Sequence, residues 1–93
     1  MNYFIGIDIG TTGAKAVLMD VNGVVVSTAT NEYPMFTPHP LWAEQNPDDW
    51  WNATCKNIQT VVVKSEINAS DVKGIGLTGQ MHGLVTLDKD GKV

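Results

Sequence analysis

The first thirty residues alternate between apolar and small or polar side chains. In Y-F-I-G-I-D-I, residues 3–9, Tyr3, Ile5, Ile7 and Ile9 face one way and Phe4, Gly6 and Asp8 the other. A period of two is the mark of a strand with one buried face. AKAVLMD, residues 14–20, and VVVSTAT, residues 24–30, read as two further strands, the last rich in β-branched residues. Asn22-Gly23 between them is a strong two-residue hairpin signal, and the four residues Gly10 to Gly13 make the earlier turn. An antiparallel meander follows. With the turn placed there, Ile9 faces Ala14 and Asp8 faces Lys15 across the hairpin.

The remainder completes a β-β-β-α-β order. All four prolines fall between 34 and 47, which predicts an irregular loop there. Asn46 then caps a helix over about 47–65, Pro47 suits its first position, and Asp48 and Asp49 sit at the positive end of its dipole. Trp51, Cys55, Ile58 and Val62 recur at helical spacing and predict the buried stripe, with Trp50 and Trp51 packed in its core. VKGIGLTG, 72–79, reads as a fourth strand buried on both sides. QMHG is a loop, LVTLD a fifth strand, and Asp90-Gly91 another hairpin turn. That last hairpin has barely begun its return at Val93, so the chain reads as the first part of a larger lobe, without its remaining partners.

Composition limits the function. A chain of 93 residues makes at most one small domain. A formal charge of −4 argues against a binder of nucleic-acid backbones. One cysteine, Cys55, rules out an internal disulfide and fits a reducing cytoplasm, where it reads as a structural thiol. One cysteine and two histidines make zinc a poor candidate. No apolar run approaches the roughly 20 residues of a membrane span, and MNYFIGID has no signal-peptide pattern.

GIDIGTTGAK, residues 6–15, misses both common phosphate loops, since its glycines fit neither G-x-x-x-x-G-K-[ST] nor G-x-G-x-x-G. Its chemistry still suits an anion. Gly10 and Gly13 permit a turn whose N–H groups converge, the Thr11 and Thr12 hydroxyls add donors, and Lys15 adds a point charge suited to phosphate. Asp8, beside that cradle and uncrowded by Gly6, is a hard carboxylate of the kind that holds Mg²⁺ or its waters. The same residues equally make a glycine-rich turn with a routine Asp–Lys cross-strand pair. In GLTGQMHG, 76–83, Met81 offers adaptable apolar contact, His82 gives or takes a hydrogen bond near neutral pH, and Gln80 adds a polar pair or braces the loop. Such placed polar groups suit a sugar. Glu44, in WAEQ, reads as a brace for the same loop, and His39, between two prolines, as exposed.

FIGIDIGTTGAKAVLMD resembles the first phosphate motif of the actin, hexokinase and heat-shock ATPase superfamily, whose D-x-G-T hairpin meets ATP phosphates. Together with PHPLWAEQNPDDWW and GLTGQMHG, it resembles the N-terminus of the FGGY carbohydrate kinases, the xylulokinases among them. The resemblance implies a ribonuclease-H-like α/β lobe, of which residues 1–93 form an incomplete N-terminal part. It implies ATP with Mg²⁺ at Asp8, Gly10, Thr11, Thr12, Gly13 and Lys15, and a sugar at Met81, His82 and Gln80. Glycerol kinases are similar here but carry Arg-Glu at the pair where this chain has Met81-His82. GQMHG favours D-xylulose, phosphorylated to D-xylulose 5-phosphate; gluconate or another pentulose, or a non-catalytic sugar-binding or assembly module, are the alternatives. The family's aspartate that accepts the sugar proton and its adenosine-binding motifs belong to later regions. The chain alone is therefore expected to be inactive, with the complete enzyme cytoplasmic and a candidate homodimer.

Overall fold

A computed structural model describes all residues, 1–93. The elements in chain order are β1 (Tyr3–Ile9), β2 (Gly13–Asp20), β3 (Val25–Glu32), α1 (Pro47–Ser65), a short 3₁₀ turn (Ala69–Asp71) and β4 (Val72–Gly79). They form one mixed sheet in the order β3-β2-β1-β4, with β1 antiparallel to β2 and parallel to β4. The β-β-β-α-β order and the meander expected from the sequence are present. So is the register, because Asp8 pairs with Lys15 and Ile9 with Ala14.

Helix α1 begins as its sequence dictates. Asn46 is extended and its side chain accepts from the Asp48 N–H at 3.0 Å, with Pro47 in the first turn. It ends at Glu66, whose backbone turns left-handed (φ 59°) and donates to the Val63 carbonyl. The helix packs on β2 and β3 and barely reaches β1. Ile5, Ile7, Ala16, Leu18 and Val61 form the core between them.

The buried stripe of α1 overlaps the expected one only in part: Ile58 and Val62 pack half-buried against the core. Ala53, Thr54, Asn57 and Val61 face the sheet, Cys55 is half-buried, and Trp51 is exposed. The reason is polar. Asn57 is fully buried because it donates to the Ala14 carbonyl at 2.9 Å and accepts from the Asn31 side chain, so it satisfies β2 and β3 together. A stripe drawn from apolar residues alone omits that residue. Replacing Asn57 with Leu orphans two partners and should cost about 1–3 kcal/mol. Thr54 is the opposite case: its hydroxyl is buried with no partner, and Thr54→Val should add about 1 kcal/mol of stability. Urea unfolding midpoints of both variants check the two signs.

Two other expectations fail for want of neighbours. β4 is not buried: Ile75 and Leu77 point to the helix side of the sheet, but α1 does not extend over them and both are exposed. Residues 84–88 form no strand. The turn after them does form, and it repeats the turn after β2. Asp20 Oδ1 accepts from the N–H groups of Asn22 and Val24, and Asp88 Oδ1 from those of Asp90 and Lys92. Gly23 and Gly91 both take φ 78°. A turn is set by its own four or five residues, whereas a strand needs a ladder partner, and Leu84–Leu87 have none here. No helix is long and apolar enough to cross a membrane.

Candidate functional site

Parallel pairing of β1 with β4 sets Ile9 beside Gly79, so the turn after β1 and the loop after β4 leave the sheet at the same end. This is where ligands gather in open α/β sheets. The Gln80 N–H donates to the Ile9 carbonyl at 2.8 Å and extends the pairing one residue past the strand. The two motifs of the sequence therefore meet, although 69 residues separate Thr11 from Gln80.

The turn is pinned by its carbonyls. Tyr33 Oη donates to the Gly10 carbonyl, and the Tyr33 N–H donates to the Thr12 carbonyl at 3.2 Å. The Gln45 side-chain amide donates to the Thr11 carbonyl. In a planar trans peptide the N–H points opposite to the C=O before it. The Thr11 and Thr12 N–H groups are thus aimed away from Tyr33 and Gln45, and neither has an acceptor in the protein. Two free donors on a fixed turn suit an anion.

The glycines act differently from expectation. The Gly10 N–H is spent inside the turn, on the Gly13 carbonyl at 3.0 Å, and neither glycine takes a left-handed φ. Gly13 is needed for space, because a Cβ there would lie 2.7 Å from the Asn31 carbonyl oxygen and 2.9 Å from Glu32 Cα.

Asp8 and Lys15 lie on the face of the sheet away from α1. With Gly6, Gly76 and Thr78 they line a shallow depression of about 390 Å³. A Cβ at Gly6 or Gly76 would meet nothing within 4 Å, so the floor beside the carboxylate is open. No three His, Cys, Asp or Glu side chains gather anywhere in the chain. Among these residues a cation at Asp8 would meet one carboxylate, with its other positions open to water, phosphate or groups from elsewhere in the protein. Magnesium binds in that manner, and the residues present fit it.

Tyr33, absent from the sequence reading, belongs to this cluster. Burial and, secondarily, the nearby Asp8 charge raise its phenol above the ordinary tyrosine range. The hydroxyl stays protonated and keeps donating to Gly10. With the folded value raised above the unfolded one, its contribution to stability is complete below pH 10 and is lost as pH rises through the folded value. Stability measured from pH 9 to 12 should fall more steeply for the wild type than for Tyr33→Phe.

The loop after β4 opens on a second, larger cleft of about 590 Å³ between residues 80–86, the loop before α1 and the start of α1. Gln80 and His82 line it, together with Glu44, Gln45, Pro47 and Trp50. His82 holds a left-handed backbone (φ 62°), an uncommon state for a residue with a side chain. Met81 does not line the cleft and is exposed. Glu44 lines the cleft and fixes the preceding loop through paired backbone bonds of 2.7 Å with Phe36; it does not brace residues 80–83. That brace is Gln45, whose Oε1 accepts from Gln80 Nε2 at 2.8 Å and from Trp50 Nε1 at 3.1 Å. Trp50 is half-buried through this bond and not through a helical core. His39 is exposed, as expected, with its ring edge against Trp42 at 4.5 Å between centroids.

The sequence reading thus named the two motifs that meet here but neither Tyr33 nor Gln45. Tyr33 was recoverable in principle, because β3 in register with β2 sets residue 33 beside Thr12. Gln45 carries no local signal beyond lying just before the helix cap.

The sequence and the fold recur in known proteins. The family model described as the FGGY family of carbohydrate kinases, N-terminal domain, matches residues 3–93. A xylulose kinase from Klebsiella pneumoniae is 44% identical over 86 residues, covering 92% of this chain and 17% of the relative. A xyloylose kinase structure from Brucella ovis superposes with a TM-score of 0.91 at 37% identity, covering 98% of this chain and 19% of the other. A gluconate kinase structure from Lactobacillus acidophilus gives 0.90 at 33%, over 98% and 18%. The chain spans 17–19% of the length of three curated xylulose kinases that it matches. The family match along nearly its whole length and the superposition of its fold place it in one group: the chain belongs to the FGGY family of carbohydrate kinases and has the fold of their N-terminal lobe.

Proposed function

We propose that residues 1–93 are the first part of the N-terminal lobe of a cytoplasmic, ATP-dependent sugar kinase that converts D-xylulose to D-xylulose 5-phosphate. The observation that supports this best is the joining of the two motifs, with the Thr11 hydroxyl donating to Gln80 Oε1 at 3.1 Å. A phosphoryl donor and its acceptor must lie in line and close together, and these motifs leave the sheet side by side.

In this reading the Thr11 and Thr12 N–H groups, with Lys15, receive phosphate oxygens, and Gly10 and Gly13 shape the turn. Asp8 holds Mg²⁺ through water. Bound there, the ion would neutralise charge on the phosphates as the phosphoryl group moves. His82 and Gln80 hydrogen-bond the sugar, and Met81 gives it an apolar contact if it turns inward from its exposed position. The proton acceptor for the sugar hydroxyl and the adenosine site lie outside these residues, so this chain alone turns over no sugar. D-xylulose is chosen over gluconate and glycerol on the GQMHG stretch and on the xylulose kinases among its relatives.

The test is ADP release from the protein expressed through its complete reading frame, with D-xylulose, D-gluconate and glycerol in parallel. Turnover greatest with D-xylulose, and absent from residues 1–93 alone, supports the reading. Turnover greatest with another substrate moves the assignment within the family, and none with any of the three removes it.

A further inference from the structure

Resting on that reading, the hydrogen bonds at the end of the sheet make a directional chain. An indole N–H can only donate, so Trp50 fixes Gln45 Oε1 toward itself and toward Gln80. Gln45 Nε2 is thereby committed to the Thr11 carbonyl, which can only accept. Gln80 turns Nε2 toward Gln45, which sets its Oε1 toward Thr11, and that oxygen takes the Thr11 hydroxyl. Every amide orientation is set by the one before it.

This leaves the Thr11 hydroxyl with two competing uses. It has one proton, now given to Gln80. A phosphate on the turn is a stronger, charged acceptor for that proton, and the two unpartnered N–H groups of Thr11 and Thr12 draw it to the same turn. Once the hydroxyl rotates toward phosphate, Gln80 Oε1 is free, on a side chain that Gln45 still holds and that lines the same cleft as His82. A hydroxyl of the sugar is the donor available there.

We propose that Thr11 and Gln80 form a hydrogen-bond exchange, positioned by Gln45, that makes phosphate on the turn and sugar in the cleft bind synergistically. Gln45 is a positioning residue in this scheme: its amide atoms are committed to Trp50, Gln80 and the Thr11 carbonyl, and it acts through the last two. By linkage the effect is reciprocal, with sugar tightening phosphate by the same factor.

The test needs no turnover. D-xylulose is titrated calorimetrically into the protein expressed through its complete reading frame, with and without magnesium tripolyphosphate as the probe for the turn. The wild type should bind sugar about fivefold more tightly when the probe is present, at the lower end of usual coupling between sites. Thr11→Val, which keeps the shape and loses the proton, and Gln45→Met, which loses the whole brace, should each reduce that factor to within about twofold of one. Thr11→Val decides the matter if Gln45→Met proves unstable. Synergy that is absent in the wild type, or retained in full by Thr11→Val, overturns the proposal while leaving the two binding sites standing. If the wild type binds neither D-xylulose nor tripolyphosphate alone, the sugar-kinase reading of the turn and loop falls, and the exchange falls with it.

Discussion

Asp8→Asn leaves the melting curve where it was and lowers kcat/KM for sugar phosphorylation by about a hundred- to a thousandfold, the usual cost of removing one group that stabilises charge in the transition state. The two halves of this expectation rest on different observations. The Asp8 side chain is exposed and its carboxylate makes no hydrogen bond within the protein, so its loss falls within the roughly 0.5 kcal/mol typical of surface changes. The functional half rests on its place in an open, glycine-floored depression opposite Lys15. Asparagine keeps the shape and loses the charge that a divalent cation requires. Thermal unfolding and initial-rate kinetics on one preparation separate the two effects. A large fall in melting temperature would make Asp8 a structural residue.

Gly13→Val should do the reverse and unfold the meander. A Cβ at this position falls 2.7 Å from a backbone oxygen and 2.9 Å from a backbone carbon, both on β3. Neither atom is the tip of a flexible side chain, so relief requires β2 and β3 to part at the start of their ladder, where Gly13 pairs with Glu32. Overpacking against movable side chains costs about 1–3 kcal/mol. A clash with two fixed backbone atoms should exceed that, a large share of the stability of a small domain. Gly6→Val is the control. Its Cβ meets nothing within 4 Å, so circular dichroism should show a native melt for Gly6→Val and a lost or strongly lowered transition for Gly13→Val.

What the sequence disclosed, and what it hid, follows the range of the interactions involved. Short-range features were readable: the alternation of β1 to β3, the four-residue turn that sets Asp8 against Lys15, the Asn46 cap and the two Asp-x-x-Gly turns. Each is fixed by residues within a few positions of one another. Features that depend on a distant partner were misread. Trp51 looked like core but is exposed, because Asn57 has claimed the face of α1 opposite Asn31 and the Ala14 carbonyl. Val72–Gly79 looked buried on both sides, yet β4 has a neighbour only along its β1 edge.

The candidate site divides in the same way. Asp8, Lys15, Gln80 and His82 stood out because their types and spacing carry chemistry. Tyr33 and Gln45 stood out in nothing, yet they hold the three turn carbonyls that direct the N–H groups. Residues that orient a site through backbone atoms leave no pattern in the sequence, since any donor of the right reach would serve.

The central claim is that the turn after β1 and the loop after β4 are two halves of one phosphoryl-transfer site. A crystal structure of the protein expressed through its complete reading frame, with Mg²⁺, a non-hydrolysable ATP analogue and D-xylulose, tests it most directly. The expected result has phosphate oxygens within about 3.2 Å of the Thr11 and Thr12 nitrogens, the cation's water shell against Asp8, and sugar hydroxyls on Gln80 and His82. Phosphates seated away from the turn, or a sugar bound outside the cleft that His82 lines, would contradict it.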